Sequence, residues 1–284
     1  MIANDKLRCL SCHGSLVRDN ESFVCKTCSI QYAFECGVPA FKNPQSIDTL
    51  ALNSIDGQKM SAAYKSEPPT KAAYFLHRVI TSEYFPLKEW QQKKEATVKR
   101  GNLLVIGSGT TTYPDATHLD LDAFPGVDVI ADACHLPFKD ACFDAVLCEV
   151  VLEHVYNPWQ VIEETHRVLK PGGSCFFIVP FLFPYHGHPN DYRRWSKEGM
   201  KAEFSAFNHI ETGIHGGPCS SMVNLLSEWI YILSGLTYPK GYTAVKGLAT
   251  ALLFPIKFLD RFVNSFPESH RLASTFYLYA EKPE

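Results

Sequence analysis

The 284-residue sequence predicts an α/β protein with a mostly parallel sheet, preceded by a small cysteine-rich module. Two observations lead to this fold class. From residue 103 onward, short apolar runs alternate with segments of helical periodicity, a pattern typical of parallel sheets covered by helices. Four of the ten cysteines form two C-x2-C pairs before residue 30. The length allows about two domains, at roughly 150 residues each.

The overall composition is that of an ordinary globular protein. Hydrophobic residues make up 46% and charged residues 20%, which argues against a disordered, collagen-like or coiled-coil chain. A net charge of -3 provides no basic field for non-specific polyanion binding. The first residues lack the basic and apolar regions of a secretory signal, and no run of 18 apolar residues occurs. We therefore expect a soluble, cytoplasmic protein.

The amino-terminal module contains Cys9, Cys12, Cys25 and Cys28, with twelve residues between the two pairs. Each C-x2-C pair presents two thiolates from one turn, so the two pairs can complete a tetrahedral sulfur site suited to zinc. Because the protein fills all four positions, such a site is structural, and it would supply folding energy that a module of about 40 residues lacks. The alternatives are two disulfides or four free thiols.

This module continues with Ile-Gln-Tyr at 30–32 and Gly-Val-Pro-Ala-Phe at 37–41. Over about residues 7–42 it resembles the zinc ribbons of the tRNA-methyltransferase-activator-like family, which are fused to or partnered with methyltransferases. We therefore expect a zinc ribbon over 1–42, followed by a linker and accessory helices over 43–99. Apolar spacing predicts helices over 71–85 and 87–97, packed against the main domain of residues 100–284.

The main domain is predicted from its apolar runs and one clear helix. That helix follows Asn157, which can cap it, has Pro158 in its first turn and stops at the Lys-Pro-Gly-Gly of 170–173. The first five predicted strands are 103–106, 117–121, 128–131, 143–149 and 174–180.

Polar and glycine residues follow these strands in a regular order. Gly107-Ser108-Gly109 ends the first strand, and its missing Cβ atoms allow a ligand to approach the backbone amides closely. The second strand ends at Asp120, whose carboxylate could bind two ribose hydroxyls; Asp122 is the alternative. Further along come Asp132-Ala133, then Glu149 at the end of the fourth strand, and His154.

Together these motifs resemble class I S-adenosylmethionine-dependent methyltransferases of the type 11 family, over about residues 100–215. The resemblance implies a Rossmann-like, seven-stranded, mostly parallel sheet and S-adenosylmethionine as cofactor. By this likeness the glycines hold the methionine portion, Asp120 the ribose and Asp132 the adenine, while Glu149 and His154 lie under the cofactor. The implied cofactor-binding residues are Gly107, Ser108, Gly109, Asp120, Leu121, Asp132, Ala133, Glu149 and His154.

The chain departs from the family pattern in three ways. Val105 stands where the family usually has an acidic residue, and Thr111 where it has a third glycine. Only eleven positions separate Gly109 from Asp120, against about twenty in a dinucleotide-binding turn. The first helix must therefore be reduced to a turn or less, and a dinucleotide dehydrogenase is disfavoured. A methyltransferase fold without activity is an alternative.

The loop at 180–195 follows the fifth strand and is expected to lie over the transferable methyl group, because α/β sheets bind ligands at strand carboxyl ends. It resembles the P-Y-H…D-Y-R segment of bacterial type 11 enzymes encoded among surface-polysaccharide genes. The sulfonium is already activated, so the protein needs to supply positioning and a base. We predict His186 as that base, oriented by Asp191, since histidine titrates near neutral pH. Alternatively, these residues only hold the loop.

About 60 residues separate the sixth and seventh predicted strands, 209–214 and 275–281. A helical insertion over about 219–270 is expected, with two apolar faces. It could form a lid for a lipid-like acceptor, or contact a membrane through 219–263. The alternative is a helical hairpin packed on the sheet or at a homodimer interface. The apolar faces consist of Met222, Leu225, Leu226, Trp229 and Leu233, and of Val245, Leu248, Leu252, Ile256 and Leu259.

The sequence thus predicts an S-adenosylmethionine-dependent methyltransferase acting on a hydroxyl or similar group of a glycan, lipid-linked intermediate or other small molecule. We expect it in the cytoplasm or at the inner membrane face. One alternative is an rRNA or tRNA base methyltransferase, but residues 1–45 hold five basic and four acidic side chains, a weak patch for RNA. Another is a non-catalytic scaffold, which need not bind the cofactor.

Overall fold

The computed structural model describes residues 4–43, 46–52, 88–187, 190–236 and 240–284. The predicted helix over 71–85 and most of the predicted linker lie outside the described residues. Among the described residues, no helix combines the length and apolar character needed to cross a membrane.

The amino-terminal module is a four-stranded antiparallel meander that leads into the main sheet. Phe23, Cys25 and Phe41 are buried in it, because alternate side chains of these short strands point to one face. The pairing β1 with β2, β2 with β3 and β3 with β4 is antiparallel throughout. Its strands are β1 (Leu16–Asp19), β2 (Ser22–Cys25), β3 (Gln31–Glu35) and β4 (Val38–Phe41).

The main domain contributes seven strands whose apolar runs are largely buried on both faces, as expected for a sheet covered by helices. They lie in the order β7-β6-β5-β8-β9-β11-β10, with β11 antiparallel to both neighbours and the other contacts parallel. They are β5 (Leu103–Ile106), β6 (Thr117–Asp120), β7 (Val129–Ala131), β8 (Phe143–Glu149), β9 (Leu169–Pro180), β10 (Asn208–Gly216) and β11 (Thr275–Glu281).

Among the described residues, the four strands of the amino-terminal module continue the main sheet and give it eleven strands, whereas the sequence predicted a seven-stranded sheet with a separate ribbon. The reason is that β4 pairs in parallel with β7, so Phe41 lies opposite Ala131. Leu7 also forms an isolated bridge with Phe138, and both side chains are fully buried. The amino-terminal module therefore shares one hydrophobic core with the main sheet.

Helices cover the sheet and form the insertion. α2 (Lys88–Val98) overlaps the predicted 87–97 helix and packs on β8 and β9. No helix forms between β5 and β6, as the short spacing predicted. Asn157 precedes α3 as expected, but its side chain makes no capping hydrogen bond, so the predicted cap is wrong. The helices are α1 (Ile47–Leu52), α2 (Lys88–Val98), α3 (Pro158–Val168), α4 (Lys197–Glu203), α5 (Pro218–Leu233), α6 (Lys240–Leu253) and α7 (Asp260–Val263).

Candidate active site

A cavity of about 650 Å³ opens at the carboxyl ends of β5, β6, β7 and β8. These strands run parallel, so their ends meet at one edge of the sheet, where α/β proteins bind ligands. The structure brings every predicted cofactor-binding residue to this cavity, together with His186; Asp191 lies behind His186. The predicted residues that line it are Gly107, Ser108, Gly109, Asp120, Leu121, Asp132, Ala133, Glu149, His154 and His186.

The glycine turn forms the floor of this cavity. Gly107 and Gly109 both have positive φ values, +66° and +52°, which side chains rarely adopt. A Cβ at Gly107 would also lie 2.3 Å from Val151 Cγ2. The Ser108 hydroxyl is buried and has no hydrogen-bond partner among the described residues. The glycine at 107 therefore lets Val151 pack against the turn, and Ser108 lines the cavity with a hydroxyl that is itself buried.

Asp120 lines the cavity at the end of β6. Its carboxylate accepts hydrogen bonds from the N–H of Gly109 at 2.8 Å and of Asp122 at 3.1 Å, which ties it to the glycine turn. Burial raises the pKa of Asp120 to about 6. The Asp122 carboxylate instead accepts the N–H of Ala123 at 2.7 Å. Asp122 is not among the residues that line the cavity.

Two buried carboxylates, those of Asp132 and Asp48, line the cavity close to the end of β7. Asp132 accepts the N–H of Cys134 at 2.9 Å. Asp48, which the sequence analysis assigned to the linker, belongs to α1 and accepts the N–H of Tyr156 at 3.1 and 3.2 Å. Burial raises the pKa of Asp48 to about 6. A lone aspartate in a segment without periodicity carried no signal that could have identified it.

Glu149 lines the cavity as predicted, but its carboxylate has a partner that the sequence analysis missed. Lys94 of α2 donates to both Glu149 oxygens at 2.7 Å, and the hydroxyl of Tyr113 lies 3.4 Å from one of them. Burial alone would lower the pKa of Lys94, but the Glu149 carboxylate outweighs it and raises the value. The ion pair therefore connects α2 to the end of β8, where Glu149 lines the cavity.

Three side chains converge beside the cavity: Glu153, His154 and His186. His186 Nε2 lies 3.2 Å and His154 Nε2 lies 3.9 Å from the same Glu153 oxygen. Glu153 is fully buried, and its other oxygen, Oε2, has no hydrogen-bond partner among the described residues. The sequence analysis named both histidines but passed over Glu153, since an acidic residue beside a histidine has no distinctive spacing.

Asp191 holds His186 in position, together with Arg194. The backbone N–H of His186 donates to Asp191 Oδ2 at 2.9 Å, and His186 Nδ1 lies 3.3 Å from the same atom. Burial would raise the pKa of Asp191, but the guanidinium of Arg194, which donates to both its oxygens, outweighs it and lowers the pKa. The Asp191–Arg194 pair therefore acts as a fixed charged support under the imidazole.

The four cysteines of the amino-terminal module also converge. The Cys9 and Cys28 sulfurs lie 3.5 Å apart, the Cys12 and Cys25 sulfurs 3.4 Å, and all four are within 4.8 Å of one another. Zinc–sulfur bonds of about 2.3 Å imply sulfur separations of about 3.8 Å in a tetrahedral site, so the residues fit zinc. Hydrogen bonds from the backbone of Cys28 and Thr27 lower the pKa of Cys25 to about 6, which favours the thiolate.

Comparison with known families identifies one domain. Residues 108–177 match the type 11 methyltransferase family model, described as "Methyltransferase domain". The match begins within the glycine turn and ends in β9, before the acceptor loop. It supports the predicted S-adenosylmethionine-dependent methyltransferase domain and the α/β fold.

Curated relatives are similar over short segments. An uncharacterized methyltransferase of Mycobacterium tuberculosis is 40% identical over 84 residues, 28% of this chain and 33% of the relative. The 27-O-demethylrifamycin SV methyltransferase of Amycolatopsis mediterranei is 44% identical over 54 residues, 18% of this chain and 20% of that protein. The chain thus spans a third or less of the length of these relatives.

Among solved structures, the chain is similar to phosphoethanolamine N-methyltransferase 2 of Haemonchus contortus in complex with S-adenosyl-L-methionine. The TM-score is 0.45 and the identity 13%, covering 79% of this chain and 60% of the other. A complex between the Trm112 methyltransferase activator of Haloferax volcanii and a methyltransferase gives a TM-score of 0.39 at 16% identity. It covers 69% of this chain and 90% of that one.

Proposed function

We propose that this protein is an S-adenosylmethionine-dependent methyltransferase. The observation that carries the proposal is the cavity at the strand carboxyl ends, which gathers all nine predicted cofactor-binding residues within or beside the segment matched by the methyltransferase domain model. S-adenosylmethionine supplies an activated methyl group on a sulfonium, so the protein needs to bind, orient and shield the reactants rather than to activate the methyl group.

The chain's own groups fit the parts of this cofactor. Gly107 and Gly109 form the positive-φ turn beside which we place the methionine portion, and Ser108 lines the same part of the cavity. Asp120 faces the cavity while Asp122 does not, which favours Asp120 as the acceptor of the ribose hydroxyls. Asp132 and the backbone of Ala133 would contact the adenine, while Leu121, Glu149 and His154 complete the lining.

On the acceptor side we assign the main role to His186, positioned by Asp191. Because Nδ1 of His186 faces the carbonyl oxygen of Pro184 at 3.0 Å, Nε2 is the atom that can act on an acceptor. An acceptor with a hydroxyl or similar nucleophile suits this environment. A sugar of a glycan, a lipid-linked intermediate or another small molecule would provide such a group.

The insertion favours a lipid-linked acceptor and contact with a membrane surface. α5 buries small polar side chains, among them Ser221 and Ser227, and exposes Trp229. In α6, Leu248 and Leu252 are 64% and 72% exposed, the reverse of a helix that packs its apolar face inward. The Ser221 hydroxyl donates to the carbonyl of Leu182 at 3.0 Å, which joins α5 to the acceptor loop. Exposed apolar helices beside a catalytic loop suit an acceptor held at a lipid surface.

We also propose that Cys9, Cys12, Cys25 and Cys28 hold one structural zinc. The convergence of their sulfurs and the short C-x2-C turns support this assignment. Cys9 and Cys25 are buried in the same hydrophobic core as β4, so the metal would hold the outer end of the sheet together.

The activity is tested by calorimetric titration of the full chain with S-adenosylmethionine, followed by methyl transfer from labelled cofactor into fractionated extract. We expect micromolar cofactor binding and label in the lipid or glycan fraction. Label in the RNA fraction would favour the nucleic-acid alternative. Failure to bind S-adenosylmethionine would contradict the proposed activity and favour a scaffold role.

A further inference from the structure

The side chains of Glu153, His154 and His186 form a cluster at the acceptor side of the cavity. Their ligand atoms all lie within 4.8 Å of one another, and both imidazoles line the cavity wall. The cluster contains a fully buried carboxylate that is only partly hydrogen-bonded, since Glu153 Oε2 is without a partner among the described residues. A buried carboxylate left in this way is costly unless a cation or proton donor compensates it.

Hydrogen bonds to backbone carbonyls determine which imidazole nitrogens carry protons. His154 Nδ1 lies 2.7 Å from the carbonyl oxygen of Asn190, and His186 Nδ1 lies 3.0 Å from that of Pro184. A carbonyl oxygen only accepts, so both Nδ1 atoms must donate. With a single proton, placed on Nδ1, each ring presents the lone pair of Nε2 toward Glu153.

The Arg194 guanidinium does not reverse this assignment for His186. Its Nη2 atom is 3.4 Å from His186 Nδ1 but donates at 3.0 Å to Pro184 and at 2.6 Å to Asp191. Two oxygen acceptors, those of Pro184 and Asp191, therefore surround Nδ1 at 3.0 and 3.3 Å. The proton remains on Nδ1, and Nε2 stays free to act as a ligand.

Three lone-pair atoms consequently face one point: Glu153 Oε1 and the two Nε2 atoms. A single proton could bridge Glu153 Oε1 to His186 Nε2 across 3.2 Å, but it would leave His154 Nε2, 3.9 Å from the same oxygen, without a partner in the cluster. Two ligands bound at about 2.1 Å to one metal are about 3.0–3.4 Å apart. The His186–Glu153 distance of 3.2 Å lies in this range, and His154, at 3.9 Å from the same oxygen, would have to move closer to bind the metal. An imidazole whose other nitrogen donates to a carbonyl is also the usual form of a metal-bound histidine.

We infer that Glu153, His154 and His186 bind a divalent transition-metal ion whose remaining coordination positions face the acceptor. Two histidines and one carboxylate leave two or three positions open, which suits an acceptor with two neighbouring oxygens, such as a sugar diol. This inference rests on the proposed function of the same cavity. It changes the role of His186 from a free base to a metal ligand.

The metal would make the acceptor oxygen a better nucleophile by lowering the pKa of its hydroxyl. The hydroxyl proton leaves to solvent, and the oxygen attacks the methyl carbon. A carbon–oxygen bond forms while the carbon–sulfur bond breaks, and its electron pair returns to sulfur, which loses its positive charge. No oxidant or reductant is needed.

The test measures metal binding without cofactor, so that its outcome is independent of the proposed activity. The full chain is saturated with zinc and, separately, with cobalt(II), desalted, and analysed for metal content. We expect one more equivalent in the parent than in the Glu153→Gln and His186→Ala variants, and a decrease in affinity of at least about 10- to 100-fold. His270→Ala, which changes a half-buried histidine in the 3₁₀ turn Ser269–Leu272, outside the cluster, is the matched control and should retain the parent content.

The cobalt(II) spectrum separates the two metal sites, because only the cysteine site gives sulfur-to-cobalt charge-transfer bands. Equal metal content in the parent and the two variants, with unchanged visible bands, would overturn the inference. S-adenosylmethionine binding by Glu153→Gln shows that this variant is folded. A parent that binds the second metal but no S-adenosylmethionine would contradict the proposed function and leave the metal site intact.

Discussion

The side chain of Asp120 connects the glycine turn to the end of β6 in the candidate site. It accepts the N–H of Gly109 from the glycine turn while its carboxylate faces the cavity at the end of β6. Its removal would therefore affect both the shape of the turn and the binding of ribose hydroxyls. This makes Asp120 the most informative residue for cofactor binding.

Asp120→Ala is expected to weaken S-adenosylmethionine binding. Losing hydrogen bonds to a charged group costs roughly 1–3 kcal/mol, which is about 5- to 150-fold in affinity. Isothermal titration calorimetry measures the change directly. Asp122→Ala is the matched control and should stay close to the parent, because its carboxylate binds Ala123 instead of facing the cavity. A larger loss in Asp122→Ala than in Asp120→Ala would transfer the ribose role.

Cofactor affinity is expected to depend on pH. Burial raises the pKa of Asp120 to about 6, and hydroxyl donors prefer the ionised carboxylate. Binding should therefore release a proton, and affinity should increase as the pH rises toward 6, by up to about tenfold per unit. Asp48, also with a pKa of about 6, contributes at the adenine end. Calorimetry on Asp120→Asn should show a flatter profile; an unchanged slope would contradict this origin.

His186→Ala is expected to leave S-adenosylmethionine affinity nearly intact while lowering turnover by roughly 10²–10⁴-fold. The reason is that Nε2 of His186 faces the acceptor side, next to Glu153. Turnover and cofactor affinity, measured separately once the acceptor is known, distinguish this role from a structural one. If the loop is only structural, the substitution should instead lower the melting temperature and weaken cofactor binding together.

At the level of elements, the insertion between β10 and β11 has an unusual distribution of side chains. α5 and α6 expose leucines and a tryptophan and bury serines, while the exposed Arg261 of α7 adds positive charge nearby. Exposed apolar side chains gathered on two neighbouring helices are the observation behind the proposed contact with a lipid surface.

Replacing Leu248 and Leu252 together by serine is expected to reduce co-sedimentation with phosphatidylglycerol-containing vesicles. Because both side chains are largely exposed, the melting temperature should change little. Val17→Ser, at an exposed apolar position of β1, is the control and should sediment like the parent. If the parent does not sediment with vesicles and has the mass of a dimer in solution, the homodimer alternative is favoured.

Among the described residues, the amino-terminal module and the main domain share one sheet and one of the hydrophobic clusters, so they are not two independent units. β4 adds to β7, and Leu7, Phe23 and Phe41 belong to the same hydrophobic cluster as Phe143. The end of β7 leads into Asp132, so the amino-terminal module supports the adenine end of the cavity. Loss of the module should therefore destabilise the main sheet as well.

Cys28→Ser is expected to reduce the bound structural zinc and to lower the melting temperature of the entire protein in a single transition. A loss of each kcal/mol should shift it by about 2–4 °C for a chain of this size. Elemental analysis and calorimetry check both effects, with Cys36→Ser, an exposed cysteine outside the cluster, as the control. Two separate transitions would contradict the continuity of module and sheet.

Much of this arrangement could be derived from the sequence, because it depends on spacing within short segments. Apolar runs predicted β5 to β9 to within a few residues, except that β9 begins five residues earlier, at Leu169. The eleven-residue interval before Asp120 correctly excluded a full first helix. The order of polar residues at strand ends predicted the cavity lining, since parallel strands place their carboxyl ends at one edge.

Only the tertiary structure decided the contacts between distant segments. The pairing of β4 with β7, the ion pair of Lys94 with Glu149 and the position of Asp48 join residues that are about 55 to 110 positions apart or lie in segments without periodicity. The same holds for Glu153, which meets His186 across 33 positions. Local periodicity determines which face of an element is buried, but the partner it meets depends on packing of the whole chain.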